Sequence, residues 1–363
     1  MTVGSFFFVI LHANNNRPTE KMNLNNAKYY VTPVVVCLVA LAALTYYYFM
    51  TAFTTGCEAT HLYIDNDDTP DSVYAKLQPA ASPHSMTGLR TLMRHGSYHD
   101  HMHTGHYVVE PDMSTLGVYR LLSRGQQTPV RLTVPPVRTI GQMAAALGHR
   151  LMADSTALAD ALADSSLVAQ LGFDSFTLPA LFIPNTYEVY WNVSPQKLME
   201  RMKKEHDAFW TSGRQQKARA LQLTPVEVQT LASIVDEETA VGAEKPRVAG
   251  LYLNRLAKGM LLQADPTVKY AVGDFTLRRI LNRHLAVESP YNTYRHAGLP
   301  PGPIRIATVQ AIDAVLNAEH HDYLYMCAKE DFSGTHNFAR TSAEHMQNAR
   351  RYQQALNALN IKR

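Results

Sequence analysis

The clearest pattern along the chain is an uncharged apolar run from Val31 to Met50. About 20 residues of this kind are long enough to cross the hydrocarbon core of a membrane as a helix. Tyrosines flank both ends, as in the aromatic belts of membrane-spanning helices. Basic residues precede the run, so the positive-inside rule places the N-terminus in the cytoplasm. We therefore predict a cytoplasmic tail over 1–28 and a transmembrane helix over 29–50.

Two other interpretations of this segment are a cleaved signal peptide and a lipoprotein signal ending at Cys57. The apolar run is longer than the core of a typical signal peptide, and no Ala-x-Ala cleavage site follows it. The residues before Cys57 lack the apolar residue expected ahead of a lipidated cysteine. Both Met1 and Met22 are candidate start residues, and the pattern does not choose between them.

Short strand and helix patterns follow the apolar run, over 51–130. Strands are predicted at 61–64 and 105–109, where residues of high β-propensity are grouped between turn formers. A helix is predicted at 72–77, opened by residues 68–71 with Pro70 near its first turn, and a second one at 113–123, ending near Gly125. A small carbohydrate-binding module of strand, helix, helix and strand fits this pattern. A plain α+β spacer fits it nearly as well.

The same region contains a cluster of five histidines: His95, His99, His101, His103 and His106. Such a cluster is compatible with a metal site or with a solvated, histidine-rich loop. No cysteine lies nearby in the sequence, and the spacing fits no defined zinc motif. We therefore expect the solvated loop and no metal.

A mostly helical stretch is predicted at 139–171, and an aromatic-rich segment follows at 181–191. Aromatic side chains stack on sugar rings in carbohydrate grooves, and they also fill protein cores. Both roles stay open for this segment, with the core the more common of the two.

The strongest helix signal in the chain begins at Thr224. Thr224 caps the helix, Pro225 occupies its first position, and Glu227 completes a capping box. Apolar residues then recur at helical spacing along one stripe, from Val228 onward. The helix ends in three acidic residues, and Glu238 is the one that continues the i, i+3, i+7, i+10 series begun at Val228.

On the same helical wheel, Asp236 and Glu237 point away from the apolar stripe, so Glu238 is the acid at the buried edge. Burial raises the pKa of a carboxyl group because it disfavours the ionised form. A carboxylic acid that stays protonated near neutral pH is what cleavage of a glycosidic bond requires. The alternative is that Glu238 ends the helix and pairs with Arg247 or Arg255.

The pattern after this helix predicts two more helices, a turn-rich loop, a hairpin and a final helix. The expected bounds are 245–258 and a short helix from Asp265, then 289–304 for the loop, 309–318 for another helix, 323–327 with 335–339 for the hairpin, and a last helix capped by Thr341. Tyr, Asn and Thr residues in a loop on a rigid scaffold are suited to binding sugars, and the loop is otherwise a rigid connector.

Composition narrows the class of protein. A chain of 363 residues has room for two domains, and its 46% hydrophobic and 18% charged residues are typical of a globular protein with one apolar segment. A net charge of +3 is too small to indicate nucleic acid as a partner. Three cysteines, at 37, 57 and 327, do not make a disulfide framework. Motifs for a catalytic metal or a nucleotide are lacking, so no cofactor is expected.

Several motifs of the C-terminal half occur in a recognisable order. They are LASIVDEETA (231–240), VAGLYLNRLAKGMLLQADPTVKYAVG (248–273), SPYNTY (289–294), GLPPGPI (298–304) and THNF (335–338). Together they resemble the endolytic murein transglycosylases, also called the YceG-like family. The strong likeness covers about 222–342 and extends more weakly back to about 103.

The resemblance implies an α+β protein with an N-terminal transmembrane helix. It implies a small LysM-like α/β subdomain at 51–130, a connecting region at 131–200 and a mixed helical and β catalytic domain at 201–363. It also implies a single-pass anchor in the inner membrane and a periplasmic catalytic domain. The expected partners are peptidoglycan glycan strands, the inner membrane and a peptidoglycan synthase, with no nucleic acid.

The resemblance further implies the reaction: cleavage of the MurNAc–GlcNAc β-1,4 bond of nascent strands, leaving 1,6-anhydro-MurNAc ends and ending polymerisation. The family's catalytic glutamate is the second acid of an E-x-E-T pattern, which falls on Glu238 and agrees with the helical wheel. Glu238 would first donate a proton and then take one from the muramoyl C6 hydroxyl. The candidates for binding sugar are Gln263, Asp265, Thr267, Tyr291, Asn292, Tyr294, His336 and Asn337.

The sequence departs from the family pattern at one position and in one short segment. Asp236 stands where the family usually has Glu, which puts a supporting role there in doubt. Arg305 to Ala307 replace the usual Asn-Pro-Gly, so the geometry of that loop is open. Two other functions also remain. One is a muramidase that hydrolyses the same bond with help from Asp265 or Asp236. The other is a wall-binding protein without activity.

Overall fold

The computed structural model describes residues 24–277 and 279–358. Residues 1–23, with both candidate start residues, lie outside this part. The chain divides into two compact units, Met1–Gln127 and Thr128–Arg363. Both units mix helices with short two-stranded antiparallel sheets, so the fold class is α+β.

The first unit opens with the apolar helix. In chain order its elements are α1 (Leu24–Thr45), a π-helical turn (Tyr46–Met50), β1 (Thr60–Ile64), α2 (Pro70–Leu77), α3 (Pro83–His95), a 3-10 turn (Tyr98–His101), β2 (Gly105–Val109) and α4 (Thr115–Ser123). Val31–Met50 is long and apolar enough to span a membrane, and the first unit buries none of it. The segment is therefore a candidate for a single span.

The end of the apolar helix packs against α3. The ring of Tyr47 stacks on that of His84, with centroids 4.2 Å apart. Thr51 Oγ1 lies 3.1 Å from His84 Nε2. A Cβ atom at Gly88 would collide with the carbonyl oxygen of Tyr48, so the absence of a side chain permits the close approach. These contacts fix the position of the C-terminal end of the apolar helix relative to α3.

The strands of the first unit form where the sequence predicts them, with Leu62 opposite Tyr107 in an antiparallel pair. Both side chains are buried in a core shared with α2, α3 and α4. The helix α3 was not predicted, although Ser82 caps it and Pro83 occupies its first position. The resulting order is strand, helix, helix, strand, followed by α4.

The histidine cluster does not share one environment. His95, His99, His101 and His103 are exposed, as expected for a solvated loop. The prediction is wrong for His106, because β2 turns its side chain inward. There the ring stacks on that of Tyr63, and its Nε2 lies 2.9 Å from Nδ1 of His61. Within the described residues, no group of three or more His, Cys, Asp or Glu side chains is arranged to hold a metal ion.

The second unit is mainly helical. Its elements are β3 (Val130–Thr133), α5 (Ile140–Gly148), α6 (Ser155–Ala163), α7 (Ser165–Gln170), a 3-10 turn (Leu178–Leu181), β4 (Thr186–Val189), α8 (Pro195–Phe209), α9 (Ser212–Ala220), α10 (Pro225–Glu238), α11 (Lys245–Ala257), α12 (Asp265–Val272), α13 (Asn282–Leu285), α14 (Val309–Leu316), β5 (Tyr325–Ala328), β6 (His336–Ala339) and α15 (Ser342–Ala358). The helices and the hairpin expected from the sequence are present.

The aromatic-rich segment contributes mainly to the core. Phe182 and Tyr187 are buried with residues of α5 to α8, and the Tyr187 hydroxyl donates to the Ile183 carbonyl oxygen at 2.7 Å. Tyr190 is exposed. Burial of the largest rings makes packing the main role of this segment.

The helix α10 packs against both α11 and α14, which also contact each other. Every residue from Val228 to Val235 is buried, so the prediction of a single apolar stripe is wrong. Its polar residues are buried because each has a partner. Gln229 Nε2 donates to the Ala180 carbonyl oxygen at 2.8 Å, and Ser233 Oγ accepts from the Ile304 amide at 3.0 Å. The end of this buried helix carries the three acids.

Candidate active site

Asp236, the first of the three acids, is nearly inaccessible, with 2% of its side chain exposed. Its Oδ1 lies 2.5 Å from Lys245 Nζ, at the start of α11. The Thr308 amide and hydroxyl also donate to its carboxylate, at 2.6 and 2.9 Å. Asp236 therefore joins three elements, α10, α11 and the start of α14. The prediction that Glu238 is the one acid at the buried edge is wrong, because Asp236 is buried as well.

Glu237 is held by two arginines. Arg138 donates to both carboxylate oxygens at 2.8 Å, and Arg305 Nη1 donates to Oε1 at 3.0 Å. Arg305 also donates to the Pro136 carbonyl oxygen at 2.6 Å. The departure from the family pattern at 305 thus supplies a cation that ties the loop to the end of α10. Glu237 is mostly buried too, with 11% of its side chain exposed.

Glu238 has a different environment, because it forms no ion pair with the described basic residues. Its Oε1 accepts a hydrogen bond from the Tyr252 hydroxyl at 2.6 Å. Arg247 pairs with Glu319, and Arg255 donates to the Leu262 carbonyl oxygen at 2.9 Å. The alternative in which Glu238 pairs with Arg247 or Arg255 is therefore wrong.

The protonation of Glu238 follows from this environment. Burial raises the pKa of its carboxyl to about 7, and the nearby charge of Asp265 adds to the rise. The hydrogen bond from Tyr252 and the charge of His336 act in the opposite direction. Because no cation neutralises the carboxylate directly, burial prevails. Glu238 can hold a proton near neutral pH.

The carboxyl group of Glu238 opens onto a cavity of about 350 Å³. The cavity is formed by the end of α10, by α11, by the start of α12, and by β5, β6 and α15. Its lining consists of Glu238, Leu251, Tyr252, Arg255, Gln263, Asp265, Tyr294, Tyr325, Met326, Cys327, Ala328, His336 and His345. Larger cavities exist elsewhere in the chain, but Glu238 does not line them.

Four of the predicted sugar-binding residues line this cavity: Gln263, Asp265, Tyr294 and His336. The Tyr294 hydroxyl donates to Asp265 Oδ1 at 2.6 Å, so these two side chains act as one unit. Gln263 has a φ of +52°, a left-handed conformation that is costly for a residue with a side chain. Its Oε1 accepts from Arg255 at 3.0 Å, which helps to hold that conformation.

The other four predicted residues do not line the cavity. Thr267 and Asn292 are fully buried, and their polar groups are used within the protein. The Asn292 amide donates to the Leu285 and Val287 carbonyl oxygens at 2.9 Å, which shapes the loop. Tyr291 packs in the core, and Asn337 donates to Glu330. Their contacts are those of residues that support the site and do not face a ligand.

Sequence reasoning missed Tyr252, Arg255, Tyr325 and His345 in the cavity wall. Tyr252 and Arg255 are separated by one helical turn of α11, so they face the same side. That i, i+3 spacing was the available signal, since both lie in one of the motifs. Tyr325 and His345 stack with centroids 5.5 Å apart, a contact between two elements that periodicity does not reveal.

Comparison with known proteins agrees with these motifs. The YceG-like family matches residues 62–351, most of the chain. The chain belongs to the YceG-like family. The match includes every residue that lines the cavity around Glu238.

Two relatives of this chain are named endolytic murein transglycosylases. The endolytic murein transglycosylase of Bacillus subtilis strain 168 is 42% identical over 123 residues, which are 34% of this chain and 33% of that protein. The endolytic murein transglycosylase of Streptococcus pneumoniae D39 is 28% identical over 254 residues, 62% of this chain and 46% of that protein. The chain thus spans less than half the length of these curated relatives.

A solved structure shares the fold. The putative yceG-like protein lmo1499 of Listeria monocytogenes superposes with a TM-score of 0.53 and 24% identity. The likeness covers 80% of this chain and 99% of the Listeria chain. The YceG-like fold is therefore common to both.

Tyr252 tunes the acid in this YceG-like site. Replacing Tyr252 with phenylalanine removes the hydrogen bond that favours ionised Glu238, so the pKa of Glu238 should rise further above about 7. If Glu238 acts as an acid, the loss of activity at high pH should shift to higher pH. Rates of strand cleavage from pH 5 to 9 would show this, with Tyr325→Phe as the control. An unshifted profile would mean that Tyr252 does not control the proton.

Proposed function

We propose that this chain is a lytic transglycosylase that cuts peptidoglycan glycan strands at the MurNAc–GlcNAc β-1,4 bond. The observation that carries the proposal is Glu238, a carboxyl whose pKa is raised to about 7 in a cavity of polar and aromatic side chains. A proton donor of this kind is needed to activate the leaving oxygen of a sugar. The names of the relatives support the same activity.

In the proposed reaction, Glu238 donates its proton to the oxygen between the two sugars, and charge develops on C1 of the muramoyl ring. The C6 hydroxyl of the same ring then closes on C1 and leaves a 1,6-anhydro end. Because the attacking group is part of the substrate, a second nucleophile from the protein is unnecessary. The cut would end the growth of a nascent strand.

We further propose the wider organisation of the protein. The apolar helix would anchor it in the inner membrane, with the tail at 1–28 in the cytoplasm. The strand, helix, helix, strand order supports a LysM-like subdomain at 51–130. The connecting region would be 131–200 and the periplasmic catalytic domain 201–363. Glycan strands would be the main partner, and a peptidoglycan synthase a second one.

A muramidase is the second candidate, because Asp265 shares the cavity with Glu238. A second carboxylate of this kind activates water in hydrolases that invert the sugar. Asp236 is a poor candidate for this role, since Lys245 and Thr308 bind its carboxylate away from the cavity.

Mass analysis of the products separates the candidates. Purified full-length protein in detergent would be incubated with uncrosslinked glycan strands, and the new ends weighed. We expect anhydro ends, which are lighter than hydrolysed ends by one water. Hydrolysed ends alone would favour the muramidase, and uncut strands would indicate a wall-binding protein without activity.

A further inference from the structure

A buried cation lines the cavity and has no anion beside it. Arg255, on α11, is only 8% exposed. Its Nη1 donates to the Leu262 carbonyl oxygen at 2.9 Å, and its Nη2 donates to Gln263 Oε1 at 3.0 Å. Both acceptors are neutral, and Arg255 forms no ion pair with the carboxylates that the structure describes. A buried charge without a counter-ion is costly, so an anion is expected at this place when the cavity is filled.

The two acids of the cavity do not supply this counter-ion directly. Asp265 accepts a hydrogen bond from Tyr294, and Glu238 accepts one from Tyr252. Burial raises the pKa of both tyrosines, and the charge of Arg255 opposes the rise. The guanidinium therefore lies within electrostatic reach of the acids without pairing with either of them.

Two polar atoms in this part of the cavity are unsatisfied. Within the described residues, Nε of Arg255 and Nδ1 of His345 are buried without a hydrogen-bond partner. Both groups contact the ring of Tyr325, the guanidinium carbon at 5.5 Å from its centroid and the imidazole with centroids 5.5 Å apart. All three residues line the cavity. Buried polar groups are nearly always paired, so these atoms indicate a polar ligand.

His345 contributes no competing charge near neutral pH. Burial lowers the pKa of its ring, and the charge of Arg255 lowers it further. The ring is therefore neutral at pH 7, and Arg255 is the cation of this corner. The expected ligand is an anion that can accept a hydrogen bond from Nε.

The substrate proposed above contains such an anion. Glycan strands alternate two sugars, and the muramoyl ring differs from its neighbour in a lactyl ether on C3, which ends in a carboxyl. In strands without stem peptides this carboxyl is free. In other strands it is joined to the peptide, whose own residues carry carboxylates. Because both bonds of the repeat are β-1,4 links, an enzyme that cuts one of them must distinguish the C3 substituents.

Arg255 is suited to recognise this group. A guanidinium matches a carboxylate, because its planar N–H groups form charge-assisted hydrogen bonds. Tyr252, which donates to Glu238, lies three residues before Arg255 on α11. Side chains at this spacing share one face, with Cβ atoms about 5–6 Å apart. A substituent of the sugar that is cut at Glu238 can therefore reach Arg255.

We propose that Arg255 is a specificity-determining residue that binds a carboxylate on the C3 substituent of the muramoyl ring. The proposal rests on the transglycosylase function proposed above. Nε of Arg255 donates to the bound carboxylate, which becomes the missing counter-ion. This contact places the muramoyl ring at Glu238 and selects one of the two β-1,4 bonds for cleavage.

The test uses substrates that differ in charge alone. Uncrosslinked strands with stem peptides and strands without them are each used unmodified and with their carboxyls converted to methyl amides. For full-length wild-type protein in detergent, amidation should lower kcat/KM at least about 30-fold, mainly through KM, because a buried cation loses its partner. An effect with peptide-bearing strands identifies a stem-peptide carboxylate, and an effect with bare strands identifies the lactyl carboxylate. Equal kcat/KM for amidated and unmodified strands of both types would overturn the proposal.

Arg255→Gln separates recognition from support of the fold. It should lower kcat/KM for unmodified strands and abolish the discrimination against amidated ones. If Arg255 only holds Gln263 in place, both kinds of strand lose equally and the discrimination stays, which would contradict the proposal. Arg247→Gln is the matched control, because Arg247 lies on the same helix and pairs with Glu319 outside the cavity. It should discriminate as the wild type does.

Tryptophan fluorescence reports whether each variant folds. If Arg255→Gln unfolds, Arg255→Lys takes its place. A lysine keeps the charge without the planar fork, so the discrimination should shrink, and undiminished discrimination in the folded variant would contradict the proposal. Failure of the transglycosylase function is seen separately, because the wild type would then release no anhydro ends from any of the four substrates.

Discussion

Glu238→Gln should lower the rate of glycan-strand cleavage by about 10³-fold, within the range for loss of a general acid. Glutamine keeps the shape of the side chain and can still accept the hydrogen bond from Tyr252, but it has no proton to donate. The fold should therefore survive. The effect is measured as the rate at which new strand ends appear when full-length protein in detergent is incubated with glycan strands.

The matched control is Glu237→Gln, the same change one residue earlier. Glu237 is bound to Arg138 and Arg305, so this variant should lose some stability and keep most of its activity below its melting temperature. Equal losses of activity in the two variants would count against a special role for Glu238.

Glu238→Gln should also be more stable than the wild type at pH 8. A carboxyl with a pKa of about 7 in the folded protein and 4.5 when free makes folding less favourable as pH rises between these values. Above pH 7 the penalty is complete, at up to about 3 kcal/mol. Below pH 4.5 it vanishes. The free energy of unfolding of the wild type and of Glu238→Gln would be measured by denaturant at pH 8 and at pH 4.5. A difference between the two proteins that is the same at both pH values would contradict this linkage.

The second large effect is on stability. Lys245→Met should lower the free energy of unfolding of the second unit by about 3 kcal/mol, because it leaves the Asp236 carboxylate buried without a cation. The hydrogen bonds from Thr308 remain and limit the loss. Denaturant unfolding followed by tryptophan fluorescence measures this unit alone, since Trp191 and Trp210 are the tryptophans of the chain.

The double variant Asp236→Leu with Lys245→Met tests the cause. Removing both charges should recover part of the stability lost in Lys245→Met, since no buried charge is left unpaired. The single variant Asp236→Leu completes the comparison. If the double variant loses as much stability as Asp236→Leu and Lys245→Met together, the two side chains are not coupled.

The local signals in the sequence predicted the elements that carry the site. Caps and prolines marked the start of α10, and groups of residues with high β-propensity marked the strands near positions 62 and 107. The capping signal at Ser82 and Pro83 was present as well, but α3 was overlooked. Such signals lie within a few residues of one another, so the chain reveals them directly.

These local signals could not predict the environment of the three acids, Asp236, Glu237 and Glu238. The helical wheel placed Asp236 and Glu237 away from the buried stripe because it considers only the apolar face of the helix itself. Both arginines that pair with Glu237 are distant in sequence, as in the contact of Arg138 across 99 residues, and Thr308 lies 72 residues from Asp236. The same limit hid His345, which reaches the cavity from α15. Tertiary pairing, with Lys245 on the next helix and with two distant arginines, decides which acid stays without a cation.

The most direct test of the account is the titration of one carboxyl group. Carbon-13 NMR of the glutamate carboxyls in the full-length protein, with Glu238→Gln to assign the signal, would give its midpoint. Burial without a neighbouring cation predicts a midpoint near pH 7. A midpoint near pH 4.5, the ordinary value for glutamate, would contradict the claim that Glu238 holds a proton to donate.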